Sequence, residues 1–270
     1  MAIQHYEGKF GKFDYDDTEF EFHKTPFISD KEATAFFKYI GNESDGRKIK
    51  IPDGITNCSY MFSNNHNIKI APEIPDSVVR ADHMFEDSDL KKPPKSLNKI
   101  EYANHMFAEC HWLEEAPRVI SDMEDCDAMF YKCESLWRAP AVIENIRSAK
   151  WMFSRTSCAR SPKIVEGIID GAYMFAGCTS MIECPEIVRN IHNCEGMFYN
   201  GEMLPAKPRI IENVENQESM FKIPEKNMIE KIDDDSISGD RYMTDKELLD
   251  MVSRCEDNMG ECINPFMPYP

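Results

Sequence analysis

The chain has 270 residues, 48 of them acidic and 31 basic, for a formal charge of −17. That excess of carboxylates argues against a non-specific grip on nucleic-acid phosphates and favours a protein partner with a basic surface. With 42% hydrophobic residues the chain is too apolar for wholesale disorder, and at a mean hydropathy of −0.51 it is too polar for a membrane protein.

The amino-terminal twenty residues hold no basic run leading into an apolar stretch, and no window approaches the roughly 18 to 20 apolar residues that cross a bilayer. The expected location is the cytoplasm. Residues 6–23 alternate aromatic and polar side chains around Asp14, Asp16 and Asp17, which predicts a β-hairpin. The next stretch, with Ser29 or Asp30 as N-cap, Phe36, Phe37 and Ile40 on one side and Gly41 as a stop, predicts a short helix. Together residues 1–46 read as an α+β cap on the rest of the chain.

From residue 47 the sequence repeats. Met-Phe recurs at Met61, Met84, Met106, Met129, Met152, Met174, Met197 and Met220, in steps of 22 or 23 residues. A period of that length is one coil of a solenoid, in which neighbouring coils must stack to bury a continuous core. Ten or eleven residues after each Met, except the last, comes a proline: Pro72, Pro94, Pro117, Pro140, Pro162, Pro185 and Pro208. Proline donates no backbone hydrogen bond, so its recurrence predicts a short strand beginning just after it. The Met-Phe stretch is read as a short helical turn on the opposite side. Two aliphatics per coil are assigned inward, Val119, Val142, Ile164, Ile187 and Ile210 in one row and Met123, Ile146, Ile168, Ile191 and Val214 in the other, with Ile74, Leu97, Val78 and Ile100 as the counterparts in earlier coils.

Two further slots stay small. Three residues before Met stand Cys58, Ala81, Ala103, Cys126, Ala149, Gly171 and Cys194, with Gln217 at the last coil; four after it stand Asn65, Ser88, Cys110, Cys133, Thr156, Cys178 and Gly201. Six of the ten cysteines are therefore in phase with the repeat and read as core-filling thiols rather than ligands or disulfides. Cys255 and Cys262 fall outside it and remain a possible bridge.

The unit M-F-x-x-C-x-x-L-x-x-A-P, complete in MFAECHWLEEAP and MFYKCESLWRAP, resembles the BspA-type leucine-rich repeats of bacterial, prophage and protist proteins. The resemblance covers residues 47–222. It implies an α/β solenoid, a leucine-rich-repeat-like stack of about eight coils that binds other macromolecules, and it admits a phage-encoded relative working in the host cytoplasm. From residue 223 the phase is lost. Residues 223–270 hold twelve acids and five bases, with Asp233, Asp234 and Asp235 as the densest cluster, a short helix predicted from Thr244, and a Pro-rich tail. The acidic run lacks the spacing of a calcium loop.

No nucleophile elbow, P-loop, dinucleotide fingerprint or zinc-protease motif is present, so no catalytic residue, cofactor or metal is assigned and the chain is not read as an enzyme. His83 and His105 share the slot before Met in adjacent coils, with Tyr60, Trp151 and Tyr173 elsewhere; the expectation is a surface row of rings rather than a metal site. The residue after each proline should point outward, giving the ladder Glu73, Lys95, Arg118, Ala141, Lys163, Glu186 and Arg209. Its charged members and the Asp233–Asp235 cluster are the candidate partner-binding residues. The next aliphatics, Ile120, Ile143, Val165, Val188 and Ile211, form either an exposed stripe or a corner turned inward. The functional expectation is an intracellular protein-binding solenoid, in its sharpest form a phage inhibitor of a host nucleic-acid-binding defence enzyme, of the anti-CRISPR kind. The alternative is a virion or surface protein for host recognition, and self-association is a third use of an apolar stripe.

Overall fold

In the computed structural model, the described residues are 3–8, 11–16, 21–22 and 49–223, apart from 52, 98, 202–203 and 205–206. All belong to one compact unit, Met1–Ile229. The predicted helices near residue 30 and after Thr244, the Asp233–Asp235 cluster and the Cys255–Cys262 pair lie outside the described residues.

The amino-terminal strands are β1 (Ile3–Gly8), β2 (Gly11–Asp16) and β3 (Glu21–Phe22), an antiparallel sheet in that order. The predicted hairpin is present but begins three residues earlier, because Ile3 pairs with Asp16 and Gly8 with Gly11. The repeat forms a parallel β-solenoid. Its sheet runs β4 (Val119–Asp125), β5 (Val142–Ser148), β6 (Ile164–Asp170), β7 (Ile187–Asn193) and β8 (Ile210–Asn216), each strand parallel to the next. Five strands give about four turns of regular coil. The preceding coils are tied by isolated parallel bridges such as Asn57 to Arg80 and Arg80 to Tyr102.

Each strand begins two residues after a buried proline, as the missing donor requires. In the five regular strands the phase of the first aliphatic row is opposite to the sequence expectation, whereas Leu97 in an earlier coil is buried as expected. Ile120, Ile143, Val165 and Val188 are fully buried, while Val119 and Ile210 are exposed and Val142, Ile164 and Ile187 half-buried between them. The second row behaves as expected: Met123, Ile146, Ile168 and Ile191 are buried. Two inward positions three apart break strict alternation, and the cause is a one-residue bulge. Asp122, Asn145, Gly167, Asn190 and Asn213 all take positive φ and drop out of the pairing register, so Ile120 and Met123 both face the core. Asp, Asn and Gly are the residues that adopt this conformation most cheaply. Neighbouring bulges are also bonded, Asn145 Nδ2 donating to Asp122 Oδ1 at 3.2 Å and Asn213 Nδ2 to Asn190 Oδ1 at 3.0 Å.

The Met-Phe segment is not helical. The residues before Met (Tyr60, His83, His105, Ala128, Trp151, Tyr173, Gly196, Ser219) have φ between 52° and 60°, and a second left-handed residue comes at Asn64, Asp87, Glu109, Lys132, Arg155, Gly177 and Asn200. Between them the backbone makes tight turns, with alternate N–H groups donating to the next coil: Tyr60 N to Asp82 O at 3.0 Å, Phe62 N to Met84 O at 2.8 Å and Asn64 N to Glu86 O at 2.8 Å. A helix would spend those donors internally; the turns spend them on stacking. Inside, Phe62, Phe85, Phe107, Phe130, Phe153, Phe175, Phe198 and Phe221 form one continuous stack, with centroids 5.0 to 5.6 Å apart and planes within 10°.

Candidate partner-binding face

The outward side of the five-stranded sheet is built in rows, because equivalent residues of successive coils pair in register. Val119, Val142, Ile164, Ile187 and Ile210 make an aliphatic row open to solvent, 48% exposed at Val119 and 42% at Ile210. Beside it runs Ser121, Glu144, Glu166, Arg189 and Glu212. Arg189 donates to the Glu166 carboxylate, which raises the guanidinium's already high pKa. Beyond the bulges stand Glu124, Arg147, Ile169, His192 and Glu215, with Ile169 53% exposed, Arg147 3.5 Å from Glu124 and His192 3.6 Å from Glu215. The face thus presents an apolar stripe and a predominantly acidic one. Of the two expectations for Ile120, Ile143, Val165 and Val188, an exposed stripe or an inward turn, the structure shows the inward one; the outward aliphatics are their neighbours from Val119 to Ile210, which the sequence reading placed in the core.

The ladder that succeeds the prolines is exposed throughout, but it does not act as one surface. Arg118, Lys163 and Glu186 share a groove of about 650 Å³ with Glu115, Arg138, Arg160 and Glu183, while Ala116, Ala139, Cys184 and the prolines form its floor. Arg138 lies 3.6 Å from Glu115. Its guanidinium and that of Arg160 lie 5.2 and 5.6 Å from the Trp137 ring. Glu73 and Lys95 instead pair with each other across two earlier coils, Lys95 Nζ donating to Glu73 Oε1 at 2.6 Å, which raises the lysine's pKa. Arg209 precedes β8 and lies outside the groove.

The row of rings before Met is real in part, with Tyr60 stacked on His83 at 4.6 Å, His83 on His105 at 4.8 Å and Trp151 on Tyr173 at 4.4 Å. It is not a surface row at the histidines. The His83 side chain is 5% exposed and His105 13%, with His83 stacked between Tyr60 and His105 and the Glu86 carboxylate set against both imidazoles. Sequence reading also missed Glu86, a buried carboxylate with Oε2 3.0 Å from His83 Nδ1 and Oε1 3.9 Å from His105 Nδ1. Burial, with the nearby His83, lowers the His105 pKa to about 4. Its folded value therefore lies below the unfolded 6.5, so the unfolded chain binds the extra proton and stability declines as pH falls from 6.5 towards 4. The full effect is up to about 3 kcal/mol. Urea melts at pH 7 and pH 5 should show about 2 kcal/mol of this loss in the native chain, and a much smaller one in His105→Ala.

The repeat-phase thiols are buried and hydrogen-bonded: Cys110, Cys133 and Cys178 donate to the carbonyls of Phe85, Phe107 and Phe153 at 3.0, 3.0 and 2.9 Å. Every cysteine among the described residues is a free thiol. Burial pushes Cys110 and Cys194 up to about 12, Cys178 and Cys184 up to about 11, and Cys126 and Cys133 well above the ordinary range, which is the reverse of a nucleophile's environment. Among the described residues no helix is long and apolar enough to cross a membrane.

No protein-family model matches this chain, and no curated protein matches it. Among solved structures it is similar to a leucine-rich repeat protein from Bacteroides ovatus ATCC 8483, at 15% identity and a TM-score of 0.31 over 65% of this chain. The match spans 59% of that protein's length.

Proposed function

We propose that the chain is a non-catalytic protein-binding solenoid whose sheet face is the docking surface, for a partner that presents basic and apolar groups together. The observation that carries this reading is the outward aliphatic row from Val119 to Ile210, exposed at its two ends and half-buried between them, with carboxylates of Glu144, Glu166 and Glu212 alongside it. An apolar ladder of that length is uncommon on a surface that meets only water. The acidic row and the net charge of −17 supply the complement for a basic partner and would speed its encounter. Arg118, Lys163 and Glu186, at the groove before the strands, extend the contact surface as its polar rim. The sharper form of the proposal is occlusion of a nucleic-acid-binding surface on a host defence enzyme by a phage-encoded inhibitor, supported by charge alone; nucleic acid should then compete for the partner.

The test replaces Val142 and Ile187 together by Lys. Both point outward and are half-buried, so the lysine stems can lie along the row with their ammonium groups in water, sparing the fold. Affinity for a purified partner is expected to fall at least about 100-fold, with little change in thermal stability. Unchanged affinity in this variant removes the sheet face from the proposal, and binding that does not weaken with added salt removes the basic partner.

A further inference from the structure

The repeat makes its own baseline, and one place departs from it at three residues in two slots. The slot before Met is Tyr60, Ala128, Trp151, Tyr173, Gly196 or Ser219 except in two adjacent coils, where it is His83 and His105. The slot two after Met is Ser63, Ala108, Tyr131, Ser154, Ala176, Tyr199 or Lys222, and only in the His83 coil is it a carboxylate, Glu86. These three exceptions meet in space. One nitrogen or oxygen from each lies within 4.8 Å of the other two. The Glu86 carboxylate faces both imidazoles, and His105 Nδ1 is buried with no hydrogen-bond partner among the described residues.

We propose that His83, Glu86 and His105 form a binding site for one divalent transition-metal ion, zinc by preference, that clamps two successive coils together. Two imidazoles and a carboxylate are a common zinc ligand set, and bonds of about 2.0 to 2.1 Å place tetrahedral ligand atoms about 3.4 Å apart. The His83 to Glu86 separation is already shorter than that, at 3.0 Å, and the Glu86 to His105 separation of 3.9 Å closes with a movement of about half an ångström and a tilt of one stacked ring. A carboxylate as deeply buried as that of Glu86, in a slot where no other coil places an acid, is costly unless a cation meets it. The clamp falls where it has most to add, since residues 49–118 carry isolated bridges rather than the regular strands of later coils.

The experiment titrates the chelator-stripped full chain with Zn²⁺ by calorimetry and thermal melting, with Co²⁺ absorption as the coordination signature. The expected result is saturation at one ion per chain, a higher melting temperature and visible bands of a tetrahedral Co²⁺ complex. Two variants keep the test clear of misfolding. His105→Ala copies Ala128, whose φ of 52° equals that of His105, and Glu86→Ala copies Ala108. Each should fold but lose affinity about 100-fold or more, whereas His111→Ala, at an exposed histidine, should bind as the parent does. Absence of saturable one-equivalent binding, or its full retention in His105→Ala, overturns the proposal.

Discussion

Phe130→Ala is expected to destabilise the solenoid by about 3 to 5 kcal/mol, the range for deleting a fully buried aromatic ring. Phe130 is 0% exposed and lies between Phe107 and Phe153, with centroids 5.2 and 5.0 Å away. The cavity has little means of collapse. Coil spacing is fixed by the backbone, with Phe107 N donating to Met129 O at 2.9 Å and Phe130 N to Met152 O at 2.8 Å, so flanking rings are held apart. Because each coil touches only its neighbours, the loss also weakens the coupling between the two sides of the stack. Denaturant unfolding should therefore show a lower midpoint and a broadened or two-step transition. The same change at Phe221, the last and less buried ring, should cost less than half as much. A sharp transition with less than about 1 kcal/mol of loss in Phe130→Ala would contradict the stacked-ring core.

The buried cysteines among the described residues should resist thiol reagents by about a thousand-fold or more relative to the unfolded chain. Two effects multiply. The thiolate is the nucleophile, and raising Cys110 or Cys194 from 9 to about 12 removes three decades of it at neutral pH. Burial then denies the reagent access to Cys110, Cys126, Cys133 and Cys178, which are at most 1% exposed. Cys184, half-buried in the groove floor, should be the first of the described thiols to label. Timed labelling with mass-spectrometric readout gives the order directly, and rapid native modification of Cys126, Cys133 or Cys178 would refute their place in the core.

Much of this architecture was legible in the residues. The 22-to-23-residue step, the buried Met-Phe, the small slot at Cys58 and Cys126 and the thiol slot at Cys110 and Cys133 all recur once per coil, and burial enforces recurrence. The direction of Val119 against Ile120 was not legible from alternation, because the bulge at Asp122 puts two inward residues three apart. The series Asp122, Asn145, Gly167, Asn190 and Asn213 was the available signal for it, one left-handed former in each strand. The turn conformation before Met had no such signal, since Tyr, His, Trp and Ala seldom take positive φ and are held there by inter-coil hydrogen bonds. Glu86 was invisible for another reason: one carboxylate in an acidic chain draws notice only once the stack sets it beside His83 and His105.

The binding ladder shows the same division. Exposure of Arg118, Lys163 and Glu186 could be read from their place after a buried proline, but their grouping in one groove with Arg138 and Arg160 needed the curvature of the coil. Pairing of Lys95 with Glu73 is a consequence of stacking two coils, and it leaves those two residues neutralising each other rather than offering charge to a partner.

The most direct test of the sheet face as the docking surface is site-specific photo-crosslinking of the full chain in its producing cells. A photoreactive residue is placed in turn at Val142 on the sheet face, at Arg160 in the groove, and at Thr179 in the exposed loop after a Met-Phe turn. Docking on the sheet face predicts a discrete crosslinked protein from Val142, the same protein more weakly from Arg160, and none from Thr179. A partner captured from Thr179 but not from Val142 would contradict it.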